Sequence, residues 1–413
     1  MIVSLNRQLL LAALFIFTCL FFVGFSQAAP DEIQLGRDEG YPVCKNPFDY
    51  RDRCKVGSFS NPSGNKVGAS NKVLSLTQSN KLKDQEFRGE LLAYKTVDEY
   101  FEQQRSTSLM ILKGTDILYE NYQYDRSNED HFRSHSMSKT LTSLLVGIAL
   151  EKGVIASIDD PADKYLSCLK STQYGGVTIR QLLQMSSGVG FEEKNPRHLK
   201  NLYGSLIRKQ SFCKAVGTFS KREFEAGERF SYKTADTAAL GAILSAATNK
   251  TLAELTESWI WKPAGMESDA YWMRLGKVEH AGAGFFATTR DWARLGLLLT
   301  NDGSRNGSQI IPHQYLIEAT SNQKAPNGWK IGQLDHALNR VIDIGYGYQT
   351  WLLNGEPRMF LQLGQYGQMI FVYPEKQLVM VQTGVSESSS DIQILQKIYF
   401  WQALTELIDK EEI

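Results

Sequence analysis

From residue 141 onward apolar side chains recur at Leu141, Leu144, Leu145, Ile148 and Ala149, the spacing of a helix with one buried face. A polar stretch, 133–138, leads into this run, and Glu151-Lys152-Gly153 closes it with glycine at the expected stop. Upstream, the pattern predicts a short amphipathic helix over 97–104. Strands over 108–112 and 116–120 follow, joined at Lys113-Gly114-Thr115. From 154 to about 280 the chain reads as mainly helix and loop. Helices are predicted over 178–185, closed by Ser186-Ser187-Gly188, and over 237–247 and 252–261. Phe285 to Ala293 is expected to open another helix, with Thr289 as its cap and Asp291 in its first turn. Strand patterns return over 359–362, 368–373 and 377–382, with Pro374-Glu375-Lys376 as a hairpin turn, and an amphipathic helix over 391–410 ends the chain. Strands near both ends with helices between them predict a sheet assembled from distant segments, into which a helical subdomain over about 158–280 is inserted.

The N-terminus changes this picture by adding a compartment. Arg7 precedes a run from Leu9 to Val23 that is apolar apart from Thr18 and Cys19, and Ser26-Gln27-Ala28 supplies small residues at a cleavage site. Residues 1–28 therefore read as a signal peptide cut after Ala28, with a secreted or periplasmic product. The other reading, an uncleaved anchor, meets an apolar run a little short for a membrane. Residues 29–85 are polar and are expected to be an extension, partly ordered at best, before a main domain over 86–413. The mature chain keeps Cys44, Cys54, Cys168 and Cys213, an even count that suggests two disulfides in an exported protein. Three pairings are open; proximity favours Cys44 with Cys54 and Cys168 with Cys213.

Composition excludes rather than identifies. The 413 residues hold 45 basic and 45 acidic side chains, so zero net charge argues against nucleic acid or an anionic membrane as the main partner. A 42% apolar content suffices for one large domain or two ordinary ones. No Cys-x-x-Cys pair or His cluster has metal-ligand spacing, so no metal is expected.

Candidate chemistry begins at the head of the 141–149 helix. Ser136 lies at its N-terminus, near free backbone N–H groups and the positive end of the dipole. Lys139 follows three residues later on the same face and can take a hydroxyl proton if its surroundings lower its pKa. Ser-x-x-Lys occurs five times, at Ser63, Ser136, Ser167, Ser211 and Ser321, but only Ser136 heads a long apolar helix. The ordinary alternative is an N-cap serine.

Further segments sharpen the choice: Thr-Ile-Arg-Gln-Leu-Leu at 178–183 with Ser-Ser-Gly at 186–188, Phe-Ser-Tyr-Lys-Thr-Ala-Asp-Thr at 230–237, Ala-Thr-Thr-Arg-Asp at 287–291 and Tyr-Gly-Tyr-Gln-Thr-Trp at 346–351. With Ser-Met-Ser-Lys at 136–139, and in this order, they resemble the serine hydrolase superfamily of class C β-lactamases, DD-peptidases and family VIII carboxylesterases. Within it the look is nearest to 6-aminohexanoate-oligomer hydrolases. The resemblance implies an α+β fold, an antiparallel sheet flanked by N- and C-terminal helices, and an acyl-enzyme on Ser136 with no cofactor. It also implies that the serine proton goes to Lys139 or to Tyr232, with Tyr232 as general acid/base, its phenolate favoured by Lys139. Thr234 stands where the family carries Asn or Ser. The β-lactamase Lys-Thr-Gly string is absent. The corresponding place reads Gln362-Leu363-Gly364-Gln365-Tyr366-Gly367-Gln368, so Gly364 and Gln365 are the expected oxyanion and substrate contacts. Without that lysine nothing is expected to hold a β-lactam carboxylate. The sequence therefore favours small ester, amide or peptide substrates, in a cleft lined by Tyr346, Tyr348, Trp351 and Tyr366. A β-lactamase or DD-peptidase, and a catalytically silent module binding cell-wall peptides, are the alternatives.

Overall fold

The computed structural model describes residues 64–87, 92–124, 126–219, 221–321, 330–335, 340–353, 355–385 and 391–410. The expected signal peptide over 1–28, and Cys44 and Cys54, lie outside the described residues. The chain enters as β1 (Gly64–Val67), β2 (Thr77–Gln78), α1 (Val97–Gln103), β3 (Ser106–Lys113), β4 (Asp116–Tyr122) and β5 (Phe132–Arg133). A 3₁₀ turn, His135–Met137, leads into α2 (Ser138–Glu151). The insert carries α3 (Ile179–Leu183), α4 (Pro196–Ile207), α5 (Phe212–Val216), α6 (Thr234–Thr248), α7 (Leu252–Thr256) and α8 (Lys262–Ala264). Then come β6 (Ala270–Leu275), β7 (Val278–Glu279), β8 (Phe285–Ala287), α9 (Thr289–Thr300), the hairpin β9 (Ser304–Arg305) and β10 (Ser308–Gln309), and α10 (His313–Thr320). The chain closes with β11 (Lys330–Asp335), β12 (Arg340–Tyr346), β13 (Trp351–Leu353), β14 (Met359–Gly364), β15 (Gln368–Tyr373), β16 (Leu378–Gly384) and α11 (Asp391–Asp409).

Nine strands form one sheet in the order β11-β12-β13-β14-β15-β16-β3-β4-β2, antiparallel except where β2 lies parallel to β4. The β16–β3 pair, with Met380 opposite Ile111, joins segments far apart in sequence, as the strand pattern predicts. Strand β3 is apolar at every core position because both of its faces are covered. Met110 and Leu112 enter the core shared with Leu141, Leu144 and Leu145 of α2; Leu109 and Ile111 enter the one shared with Tyr100 of α1 and Ile398 and Trp401 of α11. The α+β fold with flanking terminal helices is thus observed. Helix α2 carries more than an apolar stripe: every residue from Ser138 to Ala149 is buried.

The structure departs from the sequence reading in three places. Residues 64–85 are packed, not a loose extension: β1 pairs with β6, β2 with β4, and Val67 and Leu82 are fully buried. Two such anchors are enough to bind a polar segment whose mean composition reads as loop. The stretch before 280 contains β6 and β7, which with β1, β8 and β5 make a second, smaller sheet. Finally, Phe285–Ala287 is strand, and Thr288 rather than Thr289 caps α9, its hydroxyl accepting from Asp291 N–H at 3.2 Å. The small sheet has a direct bearing on the chemistry, because its edge strand β5 delivers the chain to Ser136.

Candidate active site

Main-chain bonds fix the turn that carries Ser136. Ser134 N–H donates to Phe285 O at 2.8 Å, and Phe285 N–H returns to Ser134 Oγ at 3.2 Å, tying the end of β5 to β8. His135 then adopts a left-handed φ of 44°, uncommon for a residue with a Cβ. Ser138 Oγ donates to His135 O at 3.0 Å and locks the turn to the head of α2. Ser136 sits in this turn half-buried, within reach of a substrate, while its neighbours on both sides are buried.

One helical turn on, Lys139 is 1% exposed. Its Nζ donates to Ser136 Oγ at 2.9 Å and to Gly282 O at 2.7 Å. Burial disfavours the charged ammonium and pushes its pKa down to about 8, against an opposing pull from Glu193. At neutral pH about a tenth of such a lysine is the free amine a base must be. Only glycine fits at 282: a Cβ there would lie 2.6 Å from Thr234 Cγ2 and 3.5 Å from Lys139 Nζ.

Tyr232 comes from the loop before α6. Its ring stacks on Trp351 with centroids 5.7 Å apart and meets Tyr346 edge-on at 6.1 Å. Lys139 Nζ lies 5.1 Å from the ring centroid, and the phenol hydrogen-bonds with Ser136. The phenol is pushed well above its ordinary pKa, first by loss of solvent and then by Glu193, with the Ser136 bond only partly opposing. This corrects the expected phenolate: desolvation outweighs any help from Lys139, so Tyr232 is a neutral phenol, a proton donor before it is an acceptor.

Thr234, the first residue of α6, lies at the same place but is not free for a substrate. Both its N–H, at 2.7 Å, and its hydroxyl donate to the Glu193 carboxylate. Gly364 ends β14 directly against the nucleophile turn: a Cβ would lie 2.4 Å from Ser134 O and 3.2 Å from His135 Cβ. Gln365 follows, exposed, in the turn Gln365–Gly367, and the Tyr366 ring meets His135 edge-on at 5.0 Å. The strand end and the Ser136 turn are thus brought together, as an oxyanion contact from this strand requires. Of the four aromatics expected in the cleft, Tyr346 and Trp351 back Tyr232 and Tyr366 covers His135. Tyr348 points elsewhere, its ring 5.5 Å from Tyr315 and its hydroxyl 3.2 Å from Glu318.

Two residues of the site are not readable from the sequence. Glu193 stands in a charged run, Glu192-Glu193-Lys194, that any solvated loop can show, and its partner is 41 positions away. Gly282 has a weak signal, the Ala-Gly-Ala-Gly run at 281–284 before an apolar strand. The expected Cys168–Cys213 disulfide is present and staples two segments of the insert 45 positions apart.

Fold and geometry together define a serine hydrolase, with a buried lysine beside the serine hydroxyl and a phenol facing both. The chain belongs to the Beta-lactamase family, whose model matches residues 95–383. A 6-aminohexanoate-dimer hydrolase from Paenarthrobacter ureafaciens is 21% identical over 306 residues, 69% of this chain and 74% of that protein. A Bacillus anthracis protein proposed to be a 6-aminohexanoate-dimer hydrolase superposes with a TM-score of 0.72 at 24% identity, covering 85% of this chain and 92% of that one. A family VIII carboxylesterase superposes with a TM-score of 0.51 at 15% identity, covering 70% and 89%.

Proposed function

We propose that the protein is an exported hydrolase of esters or linear amides that works through an acyl-enzyme on Ser136. The observation that carries this is the 2.9 Å bond between Lys139 Nζ and Ser136 Oγ, made by a lysine buried without an ion-pair partner among the described residues. Ser136 Oγ attacks the substrate carbonyl as its proton passes to Lys139. The oxyanion is held by the Ser136 N–H and by the N–H of Gln365, donors of a kind worth on the order of 3 kcal/mol each. Tyr232 gives its proton to the leaving group, the C–O or C–N bond breaks, and the proton on Lys139 restores the phenol. Water then attacks the acyl-enzyme by the same route in reverse and frees Ser136.

Two features support esters and linear amides over β-lactams. The strand entering the site offers Gln362-Leu363-Gly364 where a carboxylate-binding lysine would stand. The site also carries the Glu193 carboxylate, which repels a carboxylate held close to the scissile bond, as on a β-lactam, more than one at the far end of a linear amide. The relative named as acting on 6-aminohexanoate dimers points to the same linear amides. Export is supported by the N-terminal pattern and by the Cys168–Cys213 disulfide, a bond of oxidising compartments. The test is intact mass after exposure to a fluorophosphonate, beside Ser136→Ala. One adduct on wild type and none on the variant is expected, with turnover of p-nitrophenyl acetate or a linear amide and not of a β-lactam. An unmodified wild type, or equal labelling of both, would sink the assignment. N-terminal sequencing of the exported protein is expected to begin at Ala29; a start at Met1 would reject cleavage.

A further inference from the structure

We propose that Glu193 is a positioning residue for the Ser136–Lys139 pair: it clamps Thr234 at the head of α6, and Thr234 in turn sets the Gly282 carbonyl against Lys139 Nζ. The proposal rests on the reading of Lys139 as the base. The chain of contacts is short and closed at both ends. Glu193 takes the Thr234 N–H at 2.7 Å and the Thr234 hydroxyl, so one carboxylate fixes both backbone and side chain of that residue. A carboxylate at a helix N-terminus is also favoured by the dipole. Thr234 is 2% exposed, and its Cγ2 occupies the space a Cβ of residue 282 would need. Gly282 O, held there, accepts from Lys139 Nζ at 2.7 Å. A single loop carboxylate thereby reaches the base through one side chain and one carbonyl.

Charge gives Glu193 a second grip on the same lysine. The groups that face Lys139 are Glu193 from the loop between α3 and α4, Tyr232 from the loop before α6, His280 after β7 and His135 from the turn, while Arg133 of β5 faces the two histidines. Burial, Arg133 and Lys139 itself hold His135 and His280 well below their ordinary pKa, so both are neutral. Glu193 is then the anion of the set, the group that opposes the effect of burial on Lys139. A merely structural clamp would change how fast Ser136 reacts; this one also changes the pH at which it does so.

The experiment follows fluorophosphonate acylation of Ser136 by intact mass, between about pH 5.5 and about pH 9.5, a range that brackets a lysine lowered by burial. Glu193→Gln removes the charge and keeps the shape. Its acid limb is expected to move down by about half a pH unit or more, as burial of Lys139 goes unopposed. Its plateau is expected to fall several-fold as Gly282 slackens. Thr234→Ser keeps both bonds to Glu193 but removes the methyl beside Gly282, so its plateau falls and its limb stays. Far-ultraviolet circular dichroism checks that each variant is folded, and Thr234→Ser decides on the contact to Gly282 should Glu193→Gln not fold. A labelled wild type with a Glu193→Gln limb that coincides with it, or a Thr234→Ser profile identical to wild type, overturns this proposal alone. A wild type that is not labelled at Ser136 overturns the reading of the site and this proposal with it.

Discussion

Two lysines of this protein are buried without an ion-pair partner among the described residues, and burial pushes the pKa of each down to about 8. Lys139, 1% exposed, sits between a hydroxyl and a carbonyl beside a tyrosine ring. Lys397, 2% exposed, sits on α11 next to Ile398 and the aromatic core of Phe400 and Trp401, and among the described residues no hydrogen bond or ion pair joins its Nζ. The difference teaches that a lowered pKa is what burial alone gives a lysine with no carboxylate beside it. What separates a base from a structural misfit is the company it keeps: an acceptor to orient it and an acidic hydrogen to take.

The sharpest way to break the comparison is to remove both amines. Lys139→Met is expected to lower kcat/KM on p-nitrophenyl acetate by about a thousandfold, the middle of the range for a general base. Lys139→Arg should fare no better, because a guanidinium does not release its proton. Lys397→Met should leave kcat/KM within about twofold, as changes far from substrate contacts usually do. Equal losses at the two positions would show that burial, not company, sets the role.

Tyr232→Phe comes next. It keeps the stack on Trp351 and removes only the hydroxyl, so kcat is expected to fall by about a hundredfold with KM little changed, the signature of an interaction made in the transition state. A variant that lost only affinity would demote Tyr232 to a wall of the cleft.

The smallest effect on activity carries the largest on stability. A lysine whose folded pKa is about 8 and whose ordinary value is 10.5 holds fewer protons folded than unfolded between those values. Stability therefore rises with pH across that window, and the cost of Lys397 is fully present below it. Lys397→Met is expected to stabilise the protein by about 3 kcal/mol at neutral pH, an advantage that shrinks from about pH 8 upward. Urea melts at neutral and alkaline pH would read it. A variant no more stable than wild type at neutral pH would mean that Lys397 reaches water or a partner after all.

Much of the site is legible in the sequence because its parts are local. The spacing of Leu141, Leu144, Leu145 and Ile148 predicts α2, and the serine and lysine at its head are three residues apart. Tyr232 and the turn at Gly364 come from motifs, and the sheet from strands near both ends of the chain. What is not legible depends on approach between distant segments. Glu193 looks like Glu192 until Thr234 is brought to it. Tyr346 and Tyr348 are equivalent in the string Tyr-Gly-Tyr, yet one backs Tyr232 and the other faces α10, because the chain turns between them. Residues 64–85 read as loop by composition, while two buried apolar side chains decide their packing. The expected phenolate fails for the same reason: a nearby charge can be inferred from a motif, but the loss of solvent that outweighs it cannot.

The Gly282 carbonyl also sets a limit of valence. A neutral amine has two hydrogens and one lone pair. A carbonyl oxygen can only accept, so at 2.7 Å it always claims one of the hydrogens on Lys139 Nζ. The tetrahedral nitrogen then has its remaining corners to share, and the one aimed at Ser136 Oγ is free to be the lone pair. A fixed oxygen with no proton of its own thus gives the transfer a direction: the serine hydrogen can move onto this nitrogen, and the nitrogen cannot pass it to the oxygen behind.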